Sequence, residues 1–502
     1  MPSNKSDWIT FKIIAITQLT DELVSLIEDI FGFPKDNCRN LVENYFRHLR
    51  DDLTVLIEYP YVDNVFRDSY YFYFSSKHRD YDRNCIRLSF FEGQISLESF
   101  RNSELSGTIK DNFLGIYVLR PTHPQLFGKT MLSPKALKNH SFISCLGRKT
   151  FSVNGHKLTV FSFPHSSQDS EYISCAETSI WSIMEYFGNK YSEYSPVLPS
   201  QIVTTLSEPA SERMVPSRGL SINQISFALK AFLFGSRIYA RGAYKGKEKD
   251  FRKILSFYIE SGIPVIVGLQ NERVGHAVVF VGHGIPVQSD PGNQMISFKL
   301  DQSGAGIIDT ADFQKDYVVI DDNLPPYQYC TFDQPAGYYA DIKFKTLQIV
   351  SFVVPLYPKI YLEAYEGHKL AMETLDKLVR PAAVDPIVLR FFLTSSRSLK
   401  ATIAADVFAS DDLKEFIISK TMPKFIWVAE FSDPDLYPLH KANGLIIIDA
   451  TGKGSTEDVL FTAFKGKIYI NVNNQYSIYD IGFKPFGIFR NNLKGEWSGW
   501  KE

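Results

Sequence analysis

Apolar positions change their period along the chain, and the changes mark out its parts. Between residues 9 and 57 they recur at helical spacing. Leu23, Leu26, Ile27, Ile30 and Phe31 follow Thr20 as a helix cap, and Leu41, Val42, Tyr45, Phe46 and Leu49 repeat the pattern. Short β-like runs take over at Tyr70–Phe74, Ile86–Phe91 and Phe113–Leu119, until Arg120-Pro121, where proline cannot donate to a ladder. Strand texture continues over Phe151–Phe163 and gives way to a polar, turn-forming stretch, 164–170. Cys175–Phe187 predicts an amphipathic helix with Ala176, Ile180, Ile183, Met184 and Phe187 on one stripe and Gly188 as its C-cap. Further helices are expected over Ile222–Phe234, capped by Ser221, and Asp250–Glu260, ended by Gly262-Ile263-Pro264. Val265–Leu269, His276–Val281 and Tyr317–Ile320 read as buried strands, 284–316 as a polar hairpin or loop, and Tyr338–Val354 as a strand pair. Beyond Pro355–Pro358 the pattern resets. Residues 359–420 look mostly helical, broken at Arg380-Pro381 and Asp385-Pro386, and Lys424–Phe431, Leu445–Asp449 and Lys467–Val472 look like strands.

A single core rarely grows past ~250–300 residues, so a 502-residue chain predicts two or three domains. The expected fold class is α+β. Residues 1–150 form an N-terminal α+β domain, 151–355 a central domain in which a cysteine helix packs on an antiparallel sheet, and 356–502 a C-terminal α/β domain. Composition excludes several classes. Hydrophobic residues make up 44% and the net charge is −2, which gives no electrostatic case for nucleic acid; the run Lys245–Lys249 reads as a solvated loop and helix start. The longest apolar runs, such as Ile349–Leu356, fall far short of the ~20 residues a membrane span needs. The N-terminus, with Asp7, lacks the form of a secretory signal. Cysteines at 38, 85, 145, 175 and 330 make an odd set without a CxxC pair, as expected of reduced thiols in a cytoplasm. No His or Cys spacing matches a zinc site, and Gly452–Thr456 lacks the order of a phosphate loop. Neither a metal nor another cofactor is expected.

Candidate chemistry lies in three segments. Cys175 opens a helix, where unpaired N–H groups and the helix dipole favour a thiolate. His276 opens a buried strand, Gly275–Gly282, from which an imidazole could take a thiol proton and later protonate a leaving amine. Tyr317–Asn323 is a strand ending in Asp321, Asp322 and Asn323, side chains able to orient an imidazole; adjacent strand residues face opposite sides, so one aspartate is expected to reach it. His165 and His283 are competing bases, the latter expected in a solvent-facing turn, while Cys145 and Cys330 lack a helix-start context.

This order of cysteine helix, histidine strand and acidic strand end resembles the papain-like cysteine peptidases, in particular the branch that includes the bacterial double-glycine leader peptidases. Ser261–Gly268 is similar to that branch's strand before the histidine strand. The resemblance covers about 165–350. It implies Cys175 as nucleophile, His276 as general base and acid, Asp322 or Asp321 as orienter, with the strand end favouring Asp322, and Gln168 as oxyanion donor. Gln168 precedes Cys175 by seven positions where the family has six, and Ala176 stands where glycine is usual. The implied function is hydrolysis of a peptide or isopeptide bond through an acyl-enzyme, in the manner of a maturation or defence effector protease, with a protein or peptide substrate and flanking domains that select a regulatory protein partner or restrain the protease. An acyltransferase or transglutaminase-like enzyme on the same core, and a catalytically dead binding module, are the alternatives.

Overall fold

The computed structural model describes residues 10–102, 106–169, 171–207, 220–284, 306–379, 386–472 and 475–495. The chain is mixed α+β, built on three seven-stranded sheets that are almost wholly antiparallel.

The first sheet runs β1 (Thr10–Ala15), β2 (Leu53–Tyr61), β3 (Cys85–Glu92), β4 (Phe113–Leu119), β5 (Phe127–Leu132), β8 (His156–His165) and β7 (Gly147–Val153), neighbours in that order. Helices Leu19–Phe31 and Lys35–Phe46 supply Leu23, Ile27, Val42 and Tyr45 to its core, as their spacing predicts. Gln18, not Thr20, stands at the N-cap, and residues 10–15 are strand. Tyr70–Phe72, expected in a strand, end a helix over Asn64–Phe72. Asp63 caps it, its carboxylate accepting from the Phe66 amide at 2.9 Å, and the local cap overrides the β preference of the aromatic run. Because β7 and β8 pair with this sheet, residues 151–165, expected in the central domain, lie in the first sheet.

The second sheet carries the site. Its order is β14 (Gln328–Cys330), β13 (Asp316–Ile320), β11 (Gly275–Gly284), β10 (Val265–Gln270), β15 (Gln348–Val354) and β9 (Arg237–Ala240), with β6 (Ile143–Ser144) added against the far end of β11. Gly282 permits that crossing, since a Cβ there would meet the Ile143 carbonyl oxygen at 2.1 Å. Both faces of β11 are covered, which explains its unbroken apolar run. Val279 and Val281 join the core of the helix Cys175–Lys190, while Val278 and Phe280 join that of the helix Glu248–Glu260. The cysteine helix runs through Gly188 to a C-cap at Tyr191. At Gly188 the Pro196 ring nitrogen comes within 2.4 Å of where a Cβ would stand, so this glycine serves packing. Only Gln348–Val354 of the expected pair in 338–354 is strand.

The third sheet runs β12 (Ile307–Asp309), β16 (Ile387–Ser395), β17 (Phe425–Ser432), β19 (Gly444–Asp449), β20 (Val459–Phe464), β21 (Lys467–Val472) and β22 (Gln475–Asp480). A short ribbon, β18 (Lys441–Ala442) with β23 (Phe486–Gly487), lies beside it. The sheet is antiparallel apart from β12 on β16, so the C-terminal part is not the expected α/β layer. Residues 387–395 were expected to be helical; as β16 they are buried along nearly their whole length. The expected loop 284–316 contributes β12 to this sheet; its residues 285–305, like the break at Arg380-Pro381, lie outside the described residues. A buried charge cluster ties the second and third sheets together. Arg390 on β16 donates to Glu260 at 2.8 Å and to Glu430 at 3.1 Å, and His283 on β11 lies 2.7 Å from Glu260. His283 is therefore buried, not in a solvent-facing turn, because Glu260 gives it a partner. No helix among the described residues is long and apolar enough to cross a membrane.

Candidate active site

The loop before the cysteine is fixed from its own residues. Asp169 Oδ1 accepts from the amides of Glu171, Tyr172 and Ile173 at 2.7–3.0 Å, a side-chain-capped turn that delivers the chain to the helix start. Arg120, buried beyond the end of β4, donates to the carbonyls of Ser167 and Gln168 at 3.0 and 3.1 Å. Ser174 then forms a capping box with Glu177, whose carboxylate accepts from the Ser174 amide at 2.7 Å. Cys175 is thereby the first residue of the helix. It is the one partly exposed thiol among five; Cys38, Cys85, Cys145 and Cys330 are buried, and burial pushes Cys145 up to about 12.

Across from it, His276 on β11 presents Nε2 to Asp321 Oδ1 at 3.0 Å. Both aspartates lie on the Nε2 side of the ring. The Cys175 side chain lies within hydrogen-bonding reach of the ring and favours its protonated form. Burial lowers the imidazole's pKa, but the Asp321 charge and hydrogen bond, the Cys175 contact and the Asp322 charge outweigh it, and His276 is held well above its ordinary value.

The two aspartates differ sharply. A carboxylate offers about four lone-pair directions, and Asp321 fills them. Oδ1 accepts from His276 and the Asn323 amide, each at 3.0 Å, and Oδ2 from the hydroxyls of Tyr338 and Tyr339 at 2.9 and 2.8 Å. Burial alone would raise its pKa; the His276 charge and these donors prevail and hold it below the usual carboxylate range. Asp322 is equally buried, and neither of its oxygens completes a sound hydrogen bond. Burial and the neighbouring Asp321 charge, opposed by His276 and by nearby amides of Asp322 and Gln168, raise it to about 7. It stands 3.7 Å from the same ring nitrogen. The strand end favours Asp322 as the partner of His276; the geometry places Asp321 there instead. The expectation that one aspartate alone would reach the ring also fails, because both lie beyond the last residue of β13, where strand alternation no longer applies.

Gln168 lies beside this cluster, its side-chain amide donating to Asn323 Oδ1 at 2.9 Å, and Asn323 donates on to Tyr339 at 3.1 Å. His165, weighed as a base, is fully buried and held down to about 4 by burial; its Nε2–H reaches the carbonyls of Asp321 and Leu324 at 3.1 and 2.9 Å. It positions the strand end that carries Asp321. Tyr338, Tyr339 and Phe344 were not singled out from the sequence. Tyr339 stacks on Phe344 at 4.8 Å, and Phe344 meets the His276 ring edge-on at 6.1 Å, forming an aromatic wall. A tandem Tyr338-Tyr339 in a stretch read as strand gave no chemical signal.

The ring nitrogen of His276 and carboxylate oxygens of Asp321 and Asp322 lie within 4.8 Å of one another, close enough in principle for a metal ion. The donor chemistry fits a proton better. Nε2 is held protonated, so it offers no lone pair, and Asp321 is already saturated by donors. No protein-family model matches the chain, and no curated protein matches it either.

Proposed function

We propose that the chain is a papain-like thiol hydrolase, a cysteine peptidase that cleaves a peptide or isopeptide bond through an acyl-enzyme on Cys175. One observation carries this reading. A partly exposed cysteine at a helix N-terminus lies within hydrogen-bonding reach of an imidazole whose Nε2 is bonded to a saturated, buried carboxylate.

In this reading, Asp321 fixes the His276 ring and stabilises its cationic form, so that a thiolate and an imidazolium coexist. The thiolate attacks the scissile carbonyl. The developing oxyanion meets the Cys175 amide at the helix start, with the second N–H of the Gln168 side chain as its partner. His276 Nδ1–H protonates the leaving amine, and the thioester remains. The same nitrogen then takes a proton from water as hydroxide adds to the thioester, and collapse releases the acid and the Cys175 thiolate, which restores the thiolate–imidazolium pair. His165, Tyr338, Tyr339 and Asn323 act as positioning residues through Asp321.

The test is a proteome-derived peptide library incubated with wild type and with Cys175→Ala, with new N-termini read by mass spectrometry. The reading expects cleavages that require Cys175. No Cys175-dependent cleavage, together with transfer of an acyl group to an added amine, would move the chain to the acyltransferase class.

A further inference from the structure

The first sheet reaches the loop before Cys175 through Arg120. The Arg120 amide, just past β4, donates to Leu126 O at 2.7 Å, and the side chain is 5% exposed. An arginine so buried is ordinarily paired with an acid. Here one guanidinium nitrogen, Nη2, donates to Ser167 O at 3.0 Å and Gln168 O at 3.1 Å, with a longer contact of 3.4 Å to Gln125 O. Burial works against the charge, and Asp169, whose carboxylate caps the turn ahead of Cys175, helps to offset it. The sheet also makes room for the stem of the side chain. A Cβ at Gly128 on β5 would stand 2.8 Å from Arg120 Cγ and 2.9 Å from its Cδ.

The same sheet holds the neighbouring residue by separate means. The Ser167 amide donates to Phe127 O at 3.0 Å, and its hydroxyl lies 2.8 Å from that of Tyr45, whose ring stacks on Phe127 at 3.7 Å. Gln168 is then gripped from two directions. Its carbonyl is fixed by Arg120, and its side-chain amide by Asn323 just beyond β13. Releasing the carbonyl would let the Gln168 backbone turn, and a displacement of about 1 Å is enough to misalign a catalytic donor.

We propose that Arg120 is a positioning residue for the Cys175 reaction, acting through the Gln168 backbone, so that the first sheet takes part in catalysis. This rests on the reading of Gln168 as the oxyanion donor. Arg120 touches neither the nucleophile nor the base, so its loss should weaken oxyanion support and leave the thiolate–imidazolium pair intact.

The test uses p-nitrophenyl acetate with the full chain and Cys175→Ala as the blank. The thiolate adds to the acetyl carbonyl, the ester C–O bond breaks, and p-nitrophenolate leaves without needing a proton from His276; water then releases acetate. Arg120→Met, which keeps the stem and removes the donors, should lower kcat about tenfold or more with KM little changed. The low-pH alkylation rate of Cys175 should stay at the wild-type value, and Arg120→Lys should recover part of kcat. In a Gln168→Ala background, Arg120→Met should change kcat by less than about twofold, because the residue it positions is gone. If Arg120→Met does not fold, Arg120→Lys enters the same cycle, with a smaller loss that again vanishes in Gln168→Ala. The inference is overturned if the Arg120 variants keep wild-type kcat, if the losses multiply in the double variant, or if alkylation falls in step with kcat. If wild type releases no more nitrophenolate than Cys175→Ala, the thiol hydrolase reading itself fails and takes the inference with it.

Discussion

Replacing Asp321 by asparagine keeps the shape of the side chain and removes the charge facing His276. Two unit charges 3.0 Å apart attract by about 5 kcal/mol at an effective permittivity of ~20. Part of that offsets the burial of both ions, and breaking a buried pair from one side costs about 3–5 kcal/mol. With the carboxylate gone, burial becomes the dominant influence on the imidazole, and the ring that was held protonated becomes neutral near pH 7. Selective ¹⁵N labelling of histidine follows the ring nitrogens of His276 between pH 5 and 9, and denaturant unfolding at pH 7 measures the stability lost. Wild type should remain imidazolium across neutral pH, whereas Asp321→Asn should show a neutral ring and a loss of about 3–5 kcal/mol. If Asp321→Asn leaves the ring protonated while Asp322→Asn neutralises it, the assignment of Asp321 as orienter is refuted.

Asp322→Asn should act in the opposite direction on stability. The folded carboxyl is raised to about 7, so its favourable contribution is present below the ordinary carboxylate range and is lost as pH rises through 7. The asparagine variant should therefore unfold at higher denaturant than wild type at pH 8 and match it near pH 4, with up to about 4 kcal/mol as the ceiling. Glu260→Gln should weaken the join between the second and third sheets, since Arg390 and His283 both lose a buried carboxylate, at a cost of about 3–5 kcal/mol in thermal or denaturant unfolding. Glu260 is held well below the usual carboxylate range by Arg390, His283 and Lys315 despite burial, so the wild-type advantage is present above that range and fades as pH falls through the folded pKa. Gln168→Ala, in a Cys175-dependent cleavage assay, should lower kcat by about 10²-fold or more with KM little changed, if its free N–H meets the oxyanion.

The elements of the site were legible where the local pattern and the tertiary environment agree. Cys175 at a helix start, His276 opening a doubly buried strand and Phe113–Leu119 as a strand follow directly from periodicity and caps. The choice between Asp321 and Asp322 was not legible, because it depends on hydroxyls from Tyr338 and Tyr339, brought in by a turn some 17 residues away. The sheet assignments of β12 and of β7 with β8 were hidden for a similar reason. Ile307–Asp309 is short and polar-flanked, and only its partner Ile387–Leu389 makes it a strand. The apolar run of β16 reads as helix in the sequence because period cannot distinguish a strand buried on both faces from a buried helix.

The central claim, a reactive thiol paired with His276, is tested most directly by alkylation of the native chain. Limiting iodoacetamide is applied from pH 5 to 9 to wild type and His276→Ala, and each cysteine is read by peptide mass spectrometry. Cys175 should react far faster than the four buried cysteines at low pH, and the excess should vanish in His276→Ala. Partial exposure alone would give Cys175 some advantage, so the dependence on His276 is the deciding quantity. If the low-pH excess is missing, or survives His276→Ala unchanged, Cys175 and His276 do not form the proposed pair.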